Sequence, residues 1–131
     1  MQILLVEDDL DVLEYLRLYL IERGHEVMSA LTADEALRWL DCSSPELALV
    51  DLRLAKGHGR QVIYEISKRK LGTRMVVITA SDDLELRREM QTYGVSAYLF
   101  KPITIRDLDE VVGFEPAQAP LKLEPPDLPQ E

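Results

Sequence analysis

A handful of side chains, far apart in the sequence, have the types that phosphoryl chemistry uses. Glu7, Asp8 and Asp9 follow directly on the apolar run Ile3–Val6. Asp51 ends "ELALVD", Thr79 stands near the end of "RMVVITA", and Lys101 ends "SAYLFK". Each stands where an apolar stretch stops. Carboxylates held side by side repel one another, and a hard divalent cation relieves that repulsion. Magnesium takes a few carboxylates, waters and phosphate oxygens rather than a full protein cage. An anion bound beside such an ion would also find a hydroxyl in Thr79 and a fixed positive charge in Lys101. A metal, a lysine and a hydroxyl around one spare carboxylate form a site for phosphoryl transfer to that carboxylate. Positioning and charge neutralisation would do most of the work.

That chemistry requires the acids to meet, and the hydrophobic pattern supplies a way. "ILLV" is a short continuous apolar run, as expected of a strand buried on both faces. Leu13, Leu16 and Leu20 then follow a helical period that stops at Gly24. "HEVMSA" reads as a second strand and "TADEALRWL" as a helix, with Thr32 as N-cap and Glu35 completing a capping box. "ELALVD" is a third strand. Val62, Ile63 and Ile66 mark a helix from about Gly59 to Lys70. "RMVVITA" is a fourth strand, followed by a helix from about Asp83 to Tyr93. "SAYLFK" is a fifth, and Thr104 caps a short last helix carrying Leu108, Val111 and Val112. Five strands alternating with five helices imply an α/β fold: an open, doubly wound parallel sheet with helices on both faces. Ligand sites in such sheets lie beyond the carboxyl ends of the strands. If the first and third strands are neighbours, Glu7, Asp8 and Asp51 converge there.

The totals fit one domain. The chain has 131 residues, 47% of them hydrophobic and 30% charged. No apolar run is long enough to span a membrane, and no secretory signal is evident. A net charge of −9 argues against direct nucleic-acid binding. The single Cys42 cannot form an internal disulfide and reads as inert packing, so the cytoplasm is the expected compartment. After Gly113, "FEPAQAPLKLEPPDLPQE" holds five of the seven prolines and has no apolar period. Residues 1–113 are therefore expected to fold, and 114–131 to form a flexible, proline-rich acidic tail that phosphorylation does not need.

"ILLVEDD", "LALVDLRL", "VVITA" and "YLFKP" occur in the order and strand positions of bacterial two-component response-regulator receiver domains. The resemblance covers about Met1 to Gly113. It implies a flavodoxin-like five-stranded sheet of order 2-1-3-4-5. It makes Asp51 the phosphoacceptor, with Glu7 and Asp8 the acidic pair that binds magnesium beside Asp51 and the backbone carbonyl of Arg53. Thr79 becomes the switch hydroxyl, Lys101 the lysine that pairs with the phosphoryl group, and Tyr98 the switch aromatic. A cis Lys101–Pro102 bond is implied as well. The implied donor is a histidine kinase or phosphotransfer protein, and the implied dimer surface is the fourth helix, fifth strand and fifth helix. Magnesium-dependent self-phosphorylation and autodephosphorylation follow. The chain departs from the family pattern at Ala55, where proline is common, at His58, where an acid is common, and at Ile103, where an aromatic is common. With only a tail after the receiver-like part, it reads as a stand-alone or truncated receiver.

Other readings stay open on the residues alone. "DLDVL", Asp9 to Leu13, approaches the D-x-D-x-(T/V) pattern of haloacid-dehalogenase-like phosphohydrolases, with Leu13 where that pattern has Thr or Val, and it leaves Asp51 unexplained. A receiver-shaped interaction module that is never phosphorylated is the second alternative. Asp9 is read as a helix cap, Arg53 as solvent-facing, and His25 and His58 as surface residues. Tyr98 alone could equally be plain packing.

Overall fold

The computed structural model describes residues 1–112. The elements run β1 (Gln2–Val6), α1 (Leu10–Glu22), β2 (Glu26–Ala30), α2 (Ala33–Cys42), β3 (Leu47–Asp51), α3 (Gly59–Arg69), β4 (Arg74–Thr79), α4 (Leu84–Thr92), β5 (Ala97–Phe100) and α5 (Ile105–Val112). All strand pairs are parallel and the order is β2-β1-β3-β4-β5. The expected tail, 114–131, lies outside the described residues.

The continuous apolar runs are explained by two cores. Along β1, Leu4 and Val6 pack on one side of the sheet with α2 and α3, while Ile3 and Leu5 pack on the other with α1 and α5. All four are fully buried, and each such side chain contributes on the order of 1.5–3 kcal/mol. A strand buried on both faces has no polar side to show, so its only polar residues stand at its ends. That places the acids.

The caps are largely those the sequence announces. Asp9 accepts from the backbone N–H groups of Asp11 and Val12 and starts α1. Thr104 and Asp107 exchange side-chain-to-backbone bonds at α5. At α2 the box is shifted: Thr32 accepts from the Glu35 N–H, but the Glu35 carboxylate accepts from Leu31 rather than from Thr32. Helix α5, short for this architecture, is pinned by buried Leu108, Val111 and Val112. Tyr19 donates to Asp109, Arg23 stacks on the Tyr19 ring, and Arg74 donates to the Val112 carbonyl.

Two expectations are corrected. His25 is buried, with its Nδ1 3.1 Å from the Met1 amine. The turn after α1 brings it under the start of β1, where Glu26 N–H donates to the Met1 carbonyl. His58 is half-buried and caps α3.

Candidate functional site

Register decides which acids meet. Val6 pairs with Val50, so the next residues, Glu7 and Asp51, leave the sheet side by side. They continue the phase of Ile3, Leu5, Leu47 and Leu49, and Lys101 continues that of Ala97 and Leu99; all of these belong to the α1/α5 side. Backbone bonds extend the ladder beyond the strands, with Glu7 N–H on Ala30 O at 3.0 Å and Lys101 N–H on Thr79 O at 2.8 Å. The Lys101–Pro102 peptide is cis, as expected.

One carboxylate oxygen each from Glu7, Asp8 and Asp51 lies within 4.8 Å of the others. Glu7 and Asp51 are buried and Asp8 is half-buried. The Lys101 ammonium stands between two of them, 2.8 Å from Asp51 Oδ2 and 2.9 Å from Glu7 Oε1. The first contact is a hydrogen bond. The second is an ion pair by distance, but Glu7 Oε1 has no hydrogen-bond partner although it is buried. The remaining oxygens take backbone donors: Asp9 N–H on Glu7 Oε2, Arg53 N–H on Asp51 Oδ1 and Ala55 N–H on Asp8 Oδ2, at 3.0, 3.0 and 2.6 Å.

The electrostatics reflect this crowding. Burial pushes the Glu7 carboxyl above its usual value, and Asp51 adds to this against the lowering pull of Lys101 and the Asp9 N–H. Burial works against the Lys101 charge, but the nearby Asp51 and Glu7 carboxylates outweigh that and hold the amine above the usual lysine value. One ammonium serves two of the three carboxylates, and the buried Glu7 Oε1 has that ion pair but no hydrogen bond. An oxygen-only donor set with this surplus of negative charge fits a hard divalent cation.

Thr79 is buried at the end of the adjacent strand. It lies on the opposite side of the sheet, continuing the phase of Met75 and Val77. Its hydroxyl donates to the Ser81 carbonyl at 3.1 Å and accepts from the Ser81 N–H at 3.3 Å. Tyr98 shares that face and is half-buried against α4, its hydroxyl 3.4 Å from the Leu86 carbonyl. Burial raises the phenol to about 12. The Arg87 guanidinium lies 5.2 Å from the Tyr98 ring and 5.8 Å from that of Phe100. The structure thus gathers Glu7, Asp8, Asp51 and Lys101 into one cluster, with Thr79 and Tyr98 on the neighbouring strands. Arg53 is exposed.

Sequence reasoning missed the loop between β3 and α3, which supplies two of the backbone donors. Its end is fixed by Gly59, where an added Cβ would stand 2.3 Å from the Asp51 carbonyl oxygen. The spacing His58-x-x-Gln61 is a capping-box pattern with an unusual first residue, and it was the available signal. Also unannounced is an apolar groove of about 470 Å³ beside the cluster, lined by Val12, Tyr15, Leu16, Lys101, Pro102 and Ile103 among others.

Comparison with known proteins bears on this geometry. The family model for the response regulator receiver domain matches residues 3–113. The transcriptional regulatory protein GlrR of Escherichia coli (strain K12) is 33% identical over 101 residues, 77% of this chain and 23% of that protein. The acid tolerance regulatory protein ActR of Rhizobium meliloti (strain 1021) is 31% identical over 127 residues, 97% of this chain and 64% of that protein. The chain spans less than two thirds of the length of either. Among solved structures, the CheY-like response regulator receiver domain protein of Methanospirillum hungatei JF-1 superposes with a TM-score of 0.80 at 32% identity, covering 85% of this chain and 89% of that one.

Proposed function

The chain belongs to the response-regulator receiver family, and from that premise we propose that it is a signalling switch whose phosphoacceptor is Asp51. Receiver domains of two-component systems are generally magnesium-dependent and take their phosphoryl group from histidine kinases or phosphotransfer proteins. The observation that carries the assignment here is the convergence of Glu7, Asp8 and Asp51 within 4.8 Å of one another, with the Lys101 ammonium on Glu7 and Asp51.

In the proposed mechanism Glu7, Asp8, Asp51 and the Arg53 carbonyl would hold Mg2+. When bound, that ion neutralises charge on the transferring phosphoryl oxygens. Lys101, already 2.8 Å from Asp51 Oδ2, orients the carboxylate and offsets its charge. A carboxylate oxygen of Asp51 attacks phosphorus in line, the P–N bond of phosphohistidine breaks, and the bonding pair stays on the imidazole. Hydrolysis reverses the modification: water attacks phosphorus, the O–P bond breaks, and Asp51 is returned as a carboxylate. The groove of Val12, Tyr15 and Ile103 borders Lys101.

The switch reading rests on Thr79 and Tyr98 sharing a sheet face. The phosphoryl group adds acceptor oxygens that the Thr79 hydroxyl can reach only by leaving Ser81. Its departure would make room beside β5 for Tyr98 to turn inward. A dimer through α4, β5 and α5 is supported by the exposure of Leu84, Phe100 and Ile105 there. Residues 1–113 form the receiver in this reading, and the segment 114–131 is dispensable for phosphorylation. The net charge of −9 supports a chain that does not itself bind nucleic acid. Among the described residues no helix is long and apolar enough to cross a membrane, and the cytoplasm is the proposed compartment.

The test is intact mass after incubation with acetyl phosphate and magnesium. Wild type should gain one phosphoryl group and Asp51→Asn none. Labelling of Asp51→Asn at the wild-type level would sink the assignment. Release of phosphate from a generic phosphomonoester would point to the phosphohydrolase reading instead.

A further inference from the structure

The β3–α3 loop brings two N–H donors to the acidic cluster: Arg53 to Asp51 and Ala55 to Asp8. A backbone donor is useful only if the loop carrying it is held, and the hold is concentrated at His58. Residues Arg53 and His58 form an isolated antiparallel bridge across the loop's neck. His58 Nδ1 accepts the Arg60 N–H at 3.0 Å, and Gln61 Oε1 accepts the His58 N–H at 3.3 Å. The Gly59 N–H then closes on the Leu52 carbonyl at 2.9 Å. The loop is thus tied to the first turn of α3, whose first residue is pressed against the Asp51 carbonyl.

Histidine is a poor choice for this position by propensity. Short oxygen-bearing side chains are the preferred N-caps. Here the imidazole accepts a bond, so Nδ1 carries no proton and Nε2 does. The Nδ1 acceptor serves the helix directly, and the backbone of the same residue forms the neck bridge with Arg53.

We propose that His58 is a positioning residue for phosphoryl transfer: by capping α3 and closing the loop neck it aims the Arg53 and Ala55 N–H groups at Asp51 and Asp8. This rests on the reading of Asp51 as phosphoacceptor. Side chains at 58 that keep a cap acceptor should preserve the rate, and those that lack one should lose it, whatever their effect on overall stability.

The experiment follows the rate of labelling by acetyl phosphate with magnesium, by intact mass, alongside thermal unfolding. His58→Ala should label about three- to tenfold more slowly than wild type, and it should need more magnesium for half its maximal rate. His58→Asn, which restores an oxygen acceptor, should return to within about twofold of wild type on the same reasoning. His58→Gly, a milder loss for the helix, should be slow like His58→Ala. Ile66→Val trims the same helix two turns beyond the cap; it should lower the unfolding temperature and leave the rate unchanged. Wild-type rates in His58→Ala and His58→Gly, or an asparagine variant as slow as alanine, would overturn the proposal. So would Ile66→Val slowing labelling in step with its stability loss. Absence of labelling in wild type itself would instead overturn the reading of Asp51, and this role with it.

Discussion

Replacing Asp8 by asparagine should leave the metal-free domain no less stable than wild type while removing most of its stabilisation by magnesium. Asp8 faces two carboxylates, Glu7 and Asp51, with one ammonium between them, so it sees about one uncompensated negative charge within 4.8 Å. At that spacing a charge pair is worth about 0.9 kcal/mol in water and about 3.5 kcal/mol at an effective dielectric of 20. Asp8 is half-exposed, which favours the lower end, about 1–2 kcal/mol of relief. Against this, the bond from the Ala55 N–H passes from a charged to a neutral acceptor, costing on the order of 1 kcal/mol. The net expectation in EDTA is a change between zero and about 1 kcal/mol in favour of Asp8→Asn. Magnesium reverses the order, because ligand binding adds stability only where the ligand binds: about 2.7 kcal/mol at a hundred times the dissociation constant. Urea unfolding of both proteins, each in EDTA and in magnesium, measures all four quantities. If Asp8→Asn loses more than about 1 kcal/mol without metal, Asp8 is chiefly an anchor for the loop and the repulsion argument is wrong. If magnesium raises both midpoints equally, Asp8 is not a ligand.

Three other outcomes follow from particular contacts. Thr79→Ala should still accept a phosphoryl group at Asp51 but should not pass the signal on: with beryllium trifluoride, an acyl-phosphate mimic, chemical shifts across Leu84–Val112 should move in wild type and much less in the variant, and identical shifts would refute the Thr79–Tyr98 route. Gly59→Ala should destabilise by more than the roughly 1–3 kcal/mol of ordinary overpacking, since its Cβ would meet the Asp51 carbonyl oxygen at 2.3 Å and Leu52 Cα at 2.8 Å; a denaturation midpoint near wild type would show that the loop yields. Burial, and then Arg60 and Arg53, hold the His58 imidazole below its ordinary value despite Glu89 and Asp51. Folding therefore favours its neutral form. That contribution is present above the ordinary histidine value and is lost as pH falls from there through the folded-state value. Wild type should consequently lose more stability than His58→Asn on that acid side, and parallel pH profiles in urea would contradict it.

Much of this molecule was legible in its sequence because its sheet is parallel and covered on both faces. Strands of that kind read as apolar runs, and their polar residues fall at the ends, where ligands bind. That physical rule located Glu7, Asp8, Asp51, Thr79 and Lys101, while the strand order was implied only by the resemblance to receiver domains. Local rules also placed the caps at Asp9 and Thr104, since an N-cap depends on only three or four neighbouring residues. What depended on distant parts of the chain was not legible. His25 looked like a surface residue until the β1–β2 pairing brought the Met1 amine over it. The phase of each strand end, which sets Glu7, Asp51 and Lys101 on one side of the sheet and Thr79 and Tyr98 on the other, became fixed only with the two cores. The loop after Asp51 carries no apolar period, so nothing local announced that it would lend N–H groups to Asp8 and Asp51. Only the packing of Gly59 against the end of β3, and the capping of α3 by His58, decided where those donors point.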